Sequence, residues 1–74
     1  MEHGVDVNKM DKKEQTPLHI AACRGHVKMV TLLLENGADI SLSDLEGKTA
    51  LDVAQAARHA DVVDVMLTAQ MKLL

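Results

Sequence analysis

His19, Cys23 and His26 stand at i, i+4 and i+7. On a continuous helix that spacing puts three good zinc ligands on one side, with His59 available as a fourth. Cys23 could act as a nucleophile if His19, one turn away, served as its base and a third group oriented the pair. Asp61 and Asp64, at i and i+3, could divide acid and base roles between them. Each of these chemistries meets an obstacle in the same sequence. Gly25 breaks a helix before His26 can line up with the other two ligands. An exposed helical surface offers no pocket to shield a reaction from water, and carboxylates three apart occur on almost any polar helix face. The four glycines form no phosphate-binding loop. The expectation is a chain that is not an enzyme and holds neither metal nor cofactor.

Charge and composition narrow the partners. The net charge is −3 and the pI about 5.7, whereas affinity for nucleic acid depends on Lys and Arg neutralising many phosphates. There is no Phe, Tyr or Trp, so no base can stack on the chain. A single cysteine cannot form an internal disulfide. No apolar run approaches the ~20 residues of a membrane span or follows the plan of a signal peptide. These features fit a soluble intracellular protein, cytoplasmic or nuclear, that binds neither nucleic acid nor membrane. At 74 residues there is room for one small domain, which buries only about 60% of its unfolded surface and is marginally stable.

The elements that would carry these residues are helices with legible ends. Thr16 is an N-cap and Pro17 the first helical position, where its missing N–H costs nothing. Leu18, Ala21 and Ala22 then share one face, and the small alanines let a second helix come close. Gly25 ends this helix. A second helix, roughly Val27 to Asn36, carries Met29, Val30, Leu32, Leu33 and Leu34, too many apolar residues for a narrow stripe, so it is packed on more than one side. Gly37 closes it, and Ala38 to Lys48 forms a hairpin-like loop. Thr49 caps a third helix, and Asp52, three residues on, suits the positive end of the helix dipole. The last helix runs from about Ala60 to Lys72, because Gln70 stands where Gly37 would stop it.

These elements repeat. Thr16 and Thr49, Leu18 and Leu51, Ala21 and Ala54, His26 and His59, Val30 and Val63, and Leu34 and Leu67 are all 33 positions apart. The offset also reaches back, placing Glu2, Gly4, Asp6 and Asp11 before Glu35, Gly37, Asp39 and Asp44. Residues 1–10 therefore read as the tail of an incomplete preceding repeat, 11–43 as one repeat, and 44–74 as a second, cap-like one.

Thr16-Pro17-Leu18-His19 with Ala21-Ala22, Gly25-His26 and Leu32-Leu33-Leu34-Glu35-Asn36-Gly37-Ala38-Asp39 resembles the ankyrin-repeat family along nearly the whole chain. The resemblance implies an all-α fold of β-hairpin-α-hairpin repeats, a solenoid of stacked helix-turn-helix units with projecting loops, acting as a protein-binding scaffold. It also implies structural histidines that bond to backbone and tie loops together. Departures are Glu14 where glycine is usual at the loop tip, which is expected to give the first loop a different turn, Arg58 in place of the glycine between helices, and Asp52 in place of His.

Partners of such repeats usually touch the loop tips and the concave side of the first helices. Carried over by position, those sites are Lys12, Lys13, Gln15, Cys23 and Arg24, then Leu45, Glu46, Lys48, Ala56 and Ala57. Lys12, Lys13, Arg24 and Lys48 lend this surface a basic character, which favours a partner with an acidic surface and raises association rates. The function expected is a protein-protein interaction module. The alternative is a truncated or engineered fragment whose main behaviour is folding or self-association, since missing upstream helices would leave an apolar face around Leu18, Ala22, Met29 and Leu33 uncovered, with Met71, Leu73 and Leu74 able to join the contact or to finish the cap.

Overall fold

The computed structural model describes residues 7–72, and among them lie four helices: α1 Pro17–Arg24, α2 Val27–Glu35, α3 Ala50–Ala56 and α4 Ala60–Lys72. The expectations that fall on residues 1–6 and on Leu73 and Leu74 lie outside the described residues.

Each first helix begins in a reciprocal cap. Thr16 Oγ1 accepts from the His19 N–H, while His19 Nδ1 accepts from the Thr16 N–H at 3.2 Å. In α3 the same pair is Thr49 with Asp52, whose carboxylate accepts from the Thr49 N–H at 3.0 Å. Two backbone donors that a helix start would leave unmade are thus satisfied at each N-terminus.

Three helices end alike. After α1, Gly25 and His26 donate to the carbonyls of Ala22 and Ala21. After α2, Gly37 and Ala38 donate to Leu34 and Leu33, and after α3, Arg58 and His59 donate to Gln55 and Ala54. Each is the paired closure that needs one left-handed residue, and Gly25, Gly37 and Arg58 all have positive φ. Helix α2 stops at Glu35, one residue before the sequence expectation, with Asn36 as its C-cap ahead of the left-handed Gly37, and the Asn36 side chain also donates to the Leu32 carbonyl. Helix α4 has no such glycine and continues to Lys72.

The helices form a two-by-two array, with α1 against both α2 and α3, and α4 against both α2 and α3. Leu18, Ala21, Ala22, Val30, Leu33, Ala50, Ala54, Val62 and Met66 make the core. Alanines on α1 and α3 let those two helices approach closely, and the large aliphatics fill the space behind them, each contributing roughly 1.5–3 kcal/mol on full burial.

The expected uncovered face needs correction. Leu18, Ala22 and Leu33 are at most 1% exposed, and of the four residues named only Met29 is open. Helix α1 has a neighbour on two sides, so its positions 18, 21 and 22 are enclosed between α2 and α3. The outward positions lie further round each helix, at Ile20 on α1 and at Met29 and Leu32 on α2.

Two histidines bolt the helix pairs together. His19 is buried, and its Nε2 donates to the Lys48 carbonyl at 2.8 Å. Because a carbonyl only accepts and Nδ1 already receives the Thr16 N–H, the ring is the tautomer protonated at Nε2. His59 Nε2 donates to the Cys23 carbonyl at 3.1 Å. Its ring lies so close to Gly25 that a Cβ there would sit 2.8 Å from ring atoms, so this glycine is required by the neighbouring unit as well as by its φ of +72°.

Candidate protein-binding surface

Two loops precede the first helices, and each is organised by one carboxylate. Asp11 Oδ1 accepts from the backbone N–H groups of Lys13 and Gln15, both at 2.9 Å. Asp44 Oδ1 accepts from Glu46 and Lys48 at 2.9 and 3.0 Å. The backbone bonds match too: Asp11 to Gln15 and Glu14 to Asp11, then Asp44 to Lys48 and Gly47 to Asp44. Ser43 and Thr49 pair as an antiparallel bridge at the base of the second loop, so the projecting hairpin is a single bridge around a tight turn.

The first loop was expected to turn differently because of Glu14, and it does not. Glu14 has φ +59° where Gly47 has +78°. The Asp11 carboxylate accepts from both sides of the turn tip, and that pair of bonds holds the glutamate in a conformation it would otherwise avoid.

Asp44 is nearly covered, and its carboxyl is held below the ordinary value of 3.8 chiefly by the Lys48 backbone N–H, with desolvation opposing and the Glu46 N–H assisting. Asp39 is lowered as well, first by the Ser41 hydroxyl and then by the Ser41 N–H. Hydrogen bonds to the charged form favour that form.

A backbone bond from the Leu45 N–H to the Lys13 carbonyl, 3.0 Å long, joins the loops side by side. Lys13, Gln15, Asp44, Leu45 and Glu46 line a cleft of about 220 Å³ there. Lys12 and Lys48 are exposed on the same loops. Leu45 is an apolar side chain 65% open to solvent at a loop tip. The remaining sites are at the other end of the first helices: Cys23, a free and exposed thiol, and Arg24 end α1, and Ala56 and Ala57 stand at the end of α3. An eight-residue helix is about 12 Å long, so the ten positions form two clusters along one edge rather than one pocket.

Another cleft, larger than the one between the loops, carries none of the expected site residues. It measures about 450 Å³ and is lined by Asn8, Leu34, Gly37, Ala38, Asp39, Ile40 and Ala69. These residues have no chemical distinction in the sequence, and nothing in their spacing marks a cavity.

The zinc constellation is taken apart by the fold. His19 has both ring nitrogens engaged, His26 lies beyond the end of α1, and His59 is bonded to a backbone carbonyl. Among the described residues no group of three His, Cys, Asp or Glu side chains is gathered as a metal would need. No helix among them is long and apolar enough to cross a membrane.

Paired helices stacked through histidine bonds, with loops projecting in register at one end, define a repeat scaffold. A family model described as ankyrin repeats (3 copies) matches residues 1–73, and the chain belongs to the ankyrin-repeat family. Such repeats are generally protein-protein interaction modules and typically non-catalytic. A stretch of 30 residues is 57% identical to part of the 60 kDa lysophospholipase of Mus musculus. It covers 40% of this chain and 5% of the mouse protein, so the likeness extends to a small part of that protein.

Proposed function

We propose that this chain is an intracellular protein-binding module without catalytic activity, and that it holds its partner through Lys12, Lys13, Gln15, Leu45, Glu46 and Lys48 on the loops and Cys23, Arg24, Ala56 and Ala57 at the helix ends. The observation that carries this reading is the Leu45 to Lys13 backbone bond, which sets two exposed loop tips side by side. Lys12, Lys13, Arg24 and Lys48 set four positive charges along this edge among the carboxylates of Asp11, Glu14, Asp44 and Glu46, and a partner presenting carboxylates to those four side chains matches them. Residues 11–43 and 44–74 act as the two repeat units, with residues 1–10 as the end of a preceding one.

The test replaces Lys12, Lys13 and Arg24 together by Glu. Proteins retained from cell extract by the native chain should be lost from the variant while its helical circular dichroism stays the same. Equal retention by both chains contradicts the reading.

The exposure of Ile20, Met29 and Leu32 favours a second reading, in which the main behaviour is self-association through that face. Light scattering across a wide concentration range separates the two, because a strict monomer with cooperative unfolding rules out self-association.

A further inference from the structure

Asn36 and Gly37 stand at the end of α2, and both are exposed. An asparagine followed by glycine is a pair that reacts with itself, because the glycine has no side chain to shield its backbone nitrogen from the amide carbon one residue back. A Cβ at Gly37 would meet nothing within 4 Å, so no neighbouring element covers this bend and water has access to it. The chain's other asparagine, Asn8, is followed by Lys9, whose side chain stands in the way.

The fold holds this pair apart. Asn36 Nδ2 donates to the Leu32 carbonyl at 2.8 Å, which turns the side chain back along the helix. The Gly37 N–H donates to the Leu34 carbonyl at 3.2 Å. The ψ of Asn36 is +17°, and closing a five-membered ring between its Cγ and the Gly37 nitrogen requires ψ to rotate far from that value. Reaction therefore waits until the last turn of α2 opens, releasing the bonds to Leu32 and Leu34 together with the Ala38 to Leu33 bond that closes the helix. Such ends open at much lower cost than the core.

We propose that Asn36 is a site of spontaneous, one-way modification gated by the opening of that turn. The Gly37 nitrogen gives up its proton to solvent and bonds to Asn36 Cγ; the Cγ–Nδ2 bond breaks and ammonia leaves, giving a succinimide. Water then opens the ring. Attack at Cγ yields aspartate on an unchanged backbone, and attack at the main-chain carbonyl yields isoaspartate, whose backbone runs through Cγ and is one atom longer. Either product puts a negative charge between Glu35 and Asp39 at the negative end of the α2 dipole, and its carboxylate has no hydrogen to offer the Leu32 carbonyl. In the isoaspartyl form the added backbone atom falls between Leu33 and Ala38, whose bond closes the helix, and ahead of Asp39, whose N–H donates to Asn8. Gly37, Ala38 and Asp39 line the cleft of about 450 Å³, so the modification loosens one of its walls. None of the ten proposed contact residues takes part, and the capture experiment can fail without touching this site.

Peptide mapping by mass spectrometry, with the two products separated by chromatography, follows the reaction in the native and the urea-unfolded chain at the same neutral pH. Asn36 should convert in both, with Asn8 lagging far behind. The native rate should be about thirtyfold lower, the factor that two hydrogen bonds of ordinary net strength amount to. In urea below the unfolding midpoint the native rate should rise only slightly, because opening one helical turn exposes little surface. Asn36→Gln, whose longer side chain disfavours ring closure, should convert far more slowly. Asn36→Asp, which reproduces one product, should lower the Tm by about 4–8 °C. Equal rates in the native and unfolded chains overturn the gating, and so does a native rate that climbs in proportion to the globally unfolded fraction. A native chain whose Asn36 stays intact through many of the expected half-times overturns the site itself. An unchanged Tm for Asn36→Asp overturns the loosening.

Discussion

The two helix pairs share a plan but treat their special positions in opposite ways. At the loop tips a glutamate and a glycine, Glu14 and Gly47, occupy the same left-handed turn with the same hydrogen bonds. Between the helices a glycine and an arginine, Gly25 and Arg58, also share one conformation, and Gly25 has the His59 ring against it. A positive φ by itself therefore tolerates a side chain here at modest cost, provided neighbouring bonds hold the turn. What demands glycine is the close approach of the next unit.

The comparison breaks most visibly at Gly25. Gly25→Ala adds a Cβ against His59 to an unfavourable φ, and should cost about 3 kcal/mol. A change of 1 kcal/mol moves the Tm of a domain this size by roughly 4–8 °C, so thermal unfolding reads it easily. Arg58→Gly should leave stability level or slightly raised. A similar loss at both positions would mean that φ, and not the ring, sets the requirement.

His19→Asp comes next. It gives the first pair the cap of the second, since Asp52 already performs that local task, while removing the buried bond to Lys48. The expected cost is about 2 kcal/mol, measured by urea unfolding, against little change for Asp52→Asn. A null result at His19 would show that the cap, and not the bridge, is what the histidine supplies.

The carboxylates follow with smaller effects. Asp44→Ala should lower the urea midpoint more than Asp11→Ala, because Asp44 is the more covered of the two and the N–H groups it serves are part-buried. Acid sharpens the same point. Asp39 and Asp44 have folded values below 3.8, so their contribution is fully present above that pH and is lost as pH falls through the lower folded values. Asp44→Asn should flatten the decline of the urea midpoint below pH 3.8. An unchanged acid profile would take the first loop's twin out of the stability account.

Smallest is Glu14→Gly, which relieves the left-handed strain and should add about 0.5–1 kcal/mol, less the extra freedom of glycine in the unfolded chain. Loss of stability instead would mean that the Glu14 side chain has a favourable role in the turn.

Helix starts and stops were legible because they depend on local chemistry: Thr16 and Thr49 cap, Pro17 opens, Gly25 and Gly37 close, and Gln70 lets α4 run on. The 33-residue offset also told which side chains correspond. What escaped was whatever depends on a second element. The identity of Glu14 pointed to a new turn, and only the Asp11 bonds show why the old one persists. Leu18, Ala22 and Leu33 read as an open face because periodicity along one helix does not say which neighbour lies on which side. Comparing offsets would have helped, since Val53, Val62 and Val65 are the apolar partners in register with Ile20, Met29 and Leu32. Among the site residues, the sequence placed the loop positions and the helix-end positions on one list, whereas an intervening helix keeps them apart.

The bond between the Leu45 N–H and the Lys13 carbonyl has a consequence for affinity. It couples two loops that would otherwise wander independently, so their relative placement is settled during folding. A partner touching both tips then meets a surface already ordered and loses less conformational freedom on contact, which is the advantage of preorganisation. The spacing between the tips becomes a fixed length against which a partner's own groups are measured.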